Sequence, residues 1–272
     1  MITSLHSSHV ETVKALLGSR GAKHRHETGL YVIESVQNIK AALQEAAESI
    51  ETLYFTENGL EKLGNQDWSH VDCLEVSSEV MKAMTDTVTP QGLLAVARIP
   101  KVDLEQSLKK LLTSKKEKHF RLAFFWQIQD PGNAGTVIRA GDAFDFDALI
   151  FSENSVDVYA PKVVRSSAGS LWHNPVLQGV NLEYLLEFAN KNEIKVFATV
   201  ANGEIELEKA VALASGSNSL WIFGNEARGI PEQLLSSEIV QQVAIPISQR
   251  VESLNLATAA AVVMYAVNNA AK

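Results

Sequence analysis

The sequence predicts an α/β protein with a C-terminal parallel-sheet domain and a smaller N-terminal α/β domain. Three observations carry that reading. From Phe120 onward, apolar runs of strand length recur at residues 122–128, 148–151, 175–177, 195–200, 219–223 and 242–247. Helical stretches separate them, at 136–143, 160–168, 182–190, 206–212 and 231–236. Long apolar strands alternating with helices build a parallel sheet covered on both faces. Before residue 100 helix and strand also alternate but the apolar runs are shorter, which marks a second unit.

Taken in order, residues 9–17 read as a short amphipathic helix and 30–33 as a strand. Residues 39–47 form a helix and 53–55 a strand. Ser77, with Glu79 in the first turn, opens another helix. The turn Thr89-Pro90-Gln91-Gly92 leads into a strand at 92–99, and Pro100 ends the unit. The expected domains are therefore 1–100, a lysine-rich linker at 101–119 that is helical in part, and 120–272. A final helix at 253–268, with Ser253 as its N-cap, is apolar nearly all round. Such a helix is core or subunit interface.

Bulk properties narrow the class. With 46% apolar and 21% charged residues, the chain is a globular protein. Its longest apolar stretch, 259–267, is far too short to span a bilayer, and the first ten residues lack the apolar core of a secretory signal. One cysteine, Cys73, rules out an intrachain disulfide and a thiolate metal cluster. A cytoplasmic protein is expected, with no metal and no membrane partner. The net charge of −8 argues against nucleic-acid binding through bulk charge alone. Charge is uneven, however. Residues 101–121 hold seven basic residues against three acidic ones, and Lys23-His24-Arg25-His26 forms a second basic knot.

Three segments of the C-terminal half stand at the ends of predicted strands. They are Asn133-Ala-Gly135-Thr-Val-Ile-Arg139, Gly224-Asn-Glu226-Ala-Arg-Gly229, and Ile245-Pro246 followed by Ser253-Leu254-Asn255. Open α/β sheets bind ligands where loops leave the carboxyl ends of strands. Glycines and polar side chains at three such ends predict one composite pocket. The glycine fingerprints of dinucleotide and P-loop sites are absent, as are the His-Glu-x-x-His and Gly-x-Ser-x-Gly strings. Histidine is missing from all three segments. The chemistry falls to Arg139, Asn133, Glu226, Ser253 and Asn255, a set suited to a cofactor-driven transfer such as methyl transfer. An arginine beside a polar oxygen stabilises developing negative charge. Asn133 is expected to orient Arg139, Glu226 to be buried and to bond Asn133 or loop amides, and Asn255 to meet the substrate or Arg139.

At these residues the chain resembles the SpoU/TrmH family of RNA ribose 2′-O-methyltransferases, within the SPOUT superfamily. The three segments match its motifs 1, 2 and 3 in order and spacing, over residues 120–268. The resemblance implies a parallel sheet whose C-terminal chain is tied in a trefoil knot. It implies S-adenosyl-L-methionine held mainly by backbone groups at Thr199, Ala201, Gly224, Ile245 and Leu254. Ribosomal or transfer RNA is the implied substrate, and a homodimer the implied assembly. The N-terminal part is similar to the family's small substrate-binding domain, related to a ribosomal-protein fold, at Gly29-Leu-Tyr-Val-Ile-Glu34 and Thr89-Pro90-Gln91-Gly92. Ser35 stands where the family often has glycine, and Gln37 where a basic residue often follows. Arg25, Arg165, Arg228 and Arg250 are the candidate phosphate contacts. Two other readings stay open beside this one: a non-catalytic RNA-binding protein that keeps the fold, and a different nucleotide-dependent α/β enzyme.

Overall fold

The computed structural model describes residues 1–114 and 119–270. They form two compact units, Met1–Lys101 with Asp157–His173, and Val102–Val156 with Asn174–Lys272. Among the described residues no helix is long and apolar enough to cross a membrane.

The first unit is built on a four-stranded sheet: β1 (Leu30–Glu34), β2 (Ile50–Phe55), β3 (Asp72–Glu75) and β4 (Leu93–Arg98), in the order β1-β4-β2-β3. Strand β4 runs antiparallel to both of its neighbours, and β3 runs parallel to β2. Tyr31, Val32 and Ile33 are all buried, so β1 is covered on both faces. On one face, Val10, Val13 and Leu16 of the helix Ser8–Leu17 pack with Val32, Tyr54, Leu94 and Val96. Ser7 caps that helix, accepting from Val10 N, and Ser77 caps the helix Ser78–Ala83, accepting from Val80 N. Serine caps of this kind supply the acceptor that a first helical turn lacks.

Against β1 also lies the helix Pro161–Ser167. The sequence pattern suggested that residues 160–168 cover the parallel sheet. They belong to the first unit instead, where Tyr159 meets Tyr31 with ring centroids 4.8 Å apart and Trp172 Nε1 donates to Tyr31 Oη. Burial pushes both phenols well above their ordinary pKa.

The second unit carries a seven-stranded sheet. Its strands are β5 (Arg121–Phe125), β6 (Ala148–Ser152), β7 (Val176–Val180), β8 (Lys195–Thr199), β9 (Ile205–Glu206), β10 (Ser219–Phe223) and β11 (Val240–Ala244). The order is β7-β6-β5-β10-β8-β11-β9, and every pairing is parallel. Every residue of β6 and β10 is buried, which is why those strands read as unbroken apolar runs. β9 has only two residues, too few to give a periodic signal. On one face Phe124, Ile150 and Ile222 join Leu182, Leu185 and Leu186 of the helix Leu182–Lys191. Leu104, Leu108, Leu111 and Leu112 of the helix Leu104–Ser114 pack against the same core. Lys115, Lys116 and Lys118, the densest part of the basic stretch, lie outside the described residues. On the opposite face Phe125 stacks on Phe223 at 5.3 Å between ring centroids, and Phe197 on Trp221 at 4.5 Å.

The terminal helix Leu256–Ala270 packs against the helices Pro131–Ala143 and Leu207–Ala214. It buries one side, through Leu256, Ala260, Val263, Met264 and Val267. Val262 and Tyr265 point outward, 38% and 58% exposed. The expectation of an all-round buried helix is met on one face only.

Candidate active site

Strands β5, β10, β8 and β11 are consecutive neighbours and parallel, so their carboxyl ends open along one edge of the sheet. The first motif follows β5. Asp130 caps the helix Pro131–Ala143 by accepting Asn133 N at 2.8 Å, and Pro131 occupies the first turn. Proline suits that position because its missing N–H would have no partner there. Asn133 and Gly135 are therefore helical and not part of a loop, as the sequence suggested; the helix begins five residues earlier than Thr136. The Asp-Pro pair was the available signal.

Asn133 joins all three motifs. Its Nδ2 donates to Glu226 Oε1 at 3.1 Å, and its Oδ1 accepts from Asn255 Nδ2 at 3.2 Å. The carboxylate only accepts, which fixes which way the Asn133 amide faces. Glu226 is exposed and not buried as anticipated. Asn133 does not orient Arg139. Six residues span about 1.7 helical turns, which puts the two side chains on different faces. Arg139 is exposed and makes no hydrogen bond or ion pair with the described residues.

The second motif is a tight loop closed by Asn225 and Gly229, whose backbones exchange hydrogen bonds of 3.0 and 2.9 Å. Gly229 has φ +64°, and a Cβ on Gly224 would stand 2.8 Å from the Gly229 carbonyl carbon. Only glycines let the two backbones meet this way. Asn225 was not singled out in the sequence, yet it organises the loop. Its Oδ1 accepts from Ala227 N and Arg228 N, both at 3.0 Å. Its Nδ2 donates to Gln127 O at 2.7 Å, tying motif 2 to the segment before motif 1. Asparagine after a strand-ending glycine is an Asx-turn signal.

In the third motif Asn255, not Ser253, caps the terminal helix. Its Oδ1 accepts from Ala257 N at 2.9 Å and Thr258 N at 3.2 Å. Ser253 lies two residues too early for that role. Asn255→Ala therefore removes both the cap and the Asn133 contact. The expected loss is about 1–2 kcal/mol of stability by denaturant unfolding, against little for Ser253→Ala. Equal effects from the two substitutions would contradict this assignment.

The second and third motifs, with the loop after β8, line a cavity of about 520 Å3. Thr199, Ala201, Gly224, Ile245 and Leu254, anticipated as cofactor contacts, all line it, together with Glu226, Ser253 and Asn255. Asn133 and Arg139 do not. Ile230, Leu235 and Leu256 contribute apolar walls. Among the described residues the charged side chains on the lining are Glu226 and Glu252, with no lysine or arginine beside them.

Residues 121–265, more than half of the sequence, match the model of the SpoU rRNA methylase family. The chain belongs to that family. Residues 10–95 match the MRM3-like substrate binding domain. Among similar SpoU-family proteins is the 23S rRNA (guanosine(2553)-2′-O)-methyltransferase RlmP of Bacillus subtilis, 30% identical over 89% of this chain and 90% of the relative. The 23S rRNA (uridine(2479)-2′-O)-methyltransferase of Streptomyces viridochromogenes is 25% identical over 93% of this chain and 86% of its own length. In fold, the chain is similar to the AdoMet-bound rRNA methyltransferase from Sinorhizobium meliloti, with a TM-score of 0.80 at 24% identity, covering 98% and 97% of the two chains.

The arginines expected to reach phosphate separate into two kinds. Arg25 is only 5% exposed; its Nε donates to Asp157 at 2.7 Å and its Nη1 to Leu16 O at 2.6 Å. It is a buried structural ion, and no phosphate can reach it. Arg165 is held by Glu34 at 3.2 Å and Asp86 at 3.4 Å. Glu34, 4% exposed, also accepts Asp86 N, so its role is to organise the first unit. Arg228 and Arg250 are exposed; Arg250 Nε donates to Ser248 Oγ at 3.5 Å, and neither is ion-paired among the described residues.

Proposed function

We propose that this chain transfers a methyl group from S-adenosyl-L-methionine to a ribose 2′-hydroxyl of structured RNA, ribosomal or transfer. The observation that carries the reading is the cavity at the ends of β8, β10 and β11. Its volume is that of a small-ligand site. Its apolar walls suit adenine, and the glycine-closed loop brings backbone donors and acceptors to its rim. Its charge is the discriminating property: Glu226 and Glu252 favour a cationic sulfonium and disfavour phosphate-bearing cofactors such as NAD or ATP.

When bound, the donor supplies an electrophilic methyl group. The residues of this chain position and polarise. Thr199, Ala201, Gly224, Ile245 and Leu254 hold the donor, while Asn133, Glu226 and Asn255 lock the three loops in one register. Arg139 offers an unpaired guanidinium that aligns the ribose or its neighbouring phosphate and stabilises the emerging alkoxide. Arg228 and Arg250 neutralise backbone phosphates. The reading includes the trefoil knot of the family and a cytoplasmic location beside its RNA. Incubating the protein with methyl-labelled donor and ribosomal RNA, then digesting to nucleosides, should give a 2′-O-methyl product. Label found only on bases would overturn the ribose assignment.

The proposal also takes the chain as a homodimer. Val262 and Tyr265 on the terminal helix, with Leu213 on its neighbour, leave an outward apolar strip that a second copy would cover. Ala260 and Val263 are fully buried within the monomer, so charging them tests the core and not assembly. Val262→Asp with Tyr265→Asp should give a folded monomer by sedimentation and circular dichroism. A wild-type monomer at micromolar concentration would remove the dimer from the proposal.

A further inference from the structure

The first unit has a cleft of its own, of about 580 Å3, that the methyl-transfer reading does not use. One wall is the helix Val36–Glu45, which presents Gln37, Lys40, Ala41 and Gln44 to the cleft. That spacing of three, four and seven residues is a single helical stripe. A polar stripe of this kind normally faces open water. Here Gln37 and Gln44 stay exposed, but neighbouring chain borders the stripe on two sides. Ala168 and Gly169 fold over it with φ +51° and +98°, and a Cβ on Gly169 would stand 3.3 Å from the Ala41 Cβ. His173 closes the same side. On the other side Gln91 is fixed by accepting Val36 N at 2.8 Å, which leaves its amide N–H groups able to donate. Ser35, at the cleft's end, is held at φ +81°, a conformation costly for any residue but glycine. Backbone strain of order 1–3 kcal/mol per residue persists where surrounding structure enforces it, and it gathers at ligand clamps.

The chemistry of the lining selects the ligand class. Three glutamine amides face the cleft. Gln44 Nε2 donates to Gln66 Oε1 at 3.4 Å and Gln91 Oε1 accepts from Val36 N, which leaves each amide at least one further donor. Neutral amides match the mixed donor and acceptor edges of a nucleobase. Lys40 supplies one cation, enough for the phosphate attached to that base, and His173 supplies a flat ring. A bare anion would call for more positive charge, and a metal ion for carboxylates or thiolates. We propose that this cleft takes one unstacked nucleotide of the RNA, with Gln37, Gln44 and Gln91 reading the base and Lys40 holding its phosphate. Sequence-specific RNA recognition relies on such splayed-out bases in single-stranded loops. The proposal rests on the RNA-methyltransferase reading for its partner, and it assigns the choice of target to the first unit.

Binding of short oligo-A, oligo-C and oligo-U to the full-length protein, measured by fluorescence anisotropy without methyl donor, tests it. The wild type should separate the three by tenfold or more. Gln37→Ala with Gln44→Ala should bind all three alike. Lys40→Ala should weaken all three by one common factor and flatten the salt dependence. Equal binding of the three by the wild type, or discrimination retained by the double variant, overturns the proposal. Gln37 and Gln44 are exposed on the helix surface, so the double variant should keep its fold; an unchanged melting temperature checks that directly. A melting shift with S-adenosylhomocysteine is read separately, so failure here is distinguishable from failure of the methyltransferase reading.

Discussion

Arg139→Ala should abolish methyl transfer while donor binding stays nearly intact. A ribose hydroxyl is a very weak acid, so the transition state needs its proton removed or the charge on its oxygen stabilised. The family resemblance suggests the motif-1 arginine as the base, yet guanidinium groups stay protonated in proteins. Arg139 stands exposed on its helix, without a partner among the described residues and outside the cavity. The role proposed for it is electrostatic, with the proton leaving through water or phosphate. Removing one such stabilising donor costs roughly a hundred- to a thousandfold in turnover. Arg139→Lys separates the two accounts. A base role predicts activity that rises with pH in the lysine variant; the electrostatic role predicts severe loss without that rescue, because the planar fork is gone. Wild-type turnover in Arg139→Ala would remove the residue from the mechanism.

S-adenosylhomocysteine should raise the melting temperature, and NAD, NADP and ATP should not. At about a hundred times its Kd, a ligand that binds only the folded state adds roughly 2.7 kcal/mol. For a chain of this size that is about 5–10 °C. The phosphate-bearing ligands bring negative charge to a lining whose charged residues are Glu226 and Glu252. Stabilisation by NAD but by no adenosyl ligand would point to a different nucleotide-dependent enzyme. No shift with any of them would leave the cavity without its donor.

Much of this was legible in the residues. The apolar runs at 148–151 and 219–223 are central strands buried on both faces, and continuous burial is what such a run encodes. Strand ends located the cavity because the second and third motifs directly follow β10 and β11; the first motif reaches it only through the Asn133 bonds to Glu226 and Asn255. What was not legible depended on distant partners. Arg25 reads as part of a basic surface knot, but its counter-ion, Asp157, lies 132 residues further along. For Glu226 the bond to Asn133 was legible in the motifs, and only its exposure at the surface was not. Asn255 takes the cap that Ser253 was expected to supply, because the helix opens three residues later than its apolar pattern suggests. Asn225 carries no hydrophobic signature, because an Asx turn is a local backbone event.

The insertion of residues 157–173 into the first unit bears on modularity. Arg25 finds Asp157 there, and the buried Asn38 amide donates to Val164 O at 3.0 Å. A fragment cut at residue 101 would keep the arginine and lose its carboxylate. Stranding a buried charge in this way costs about 3–5 kcal/mol, a large part of a domain's whole stability. The fragment would also lack the helix that lies against β1. The first compact unit is therefore discontinuous in the sequence, although the substrate-binding match covers residues 10–95 alone. Recombination that keeps Arg25 paired has to carry two separated stretches of sequence together.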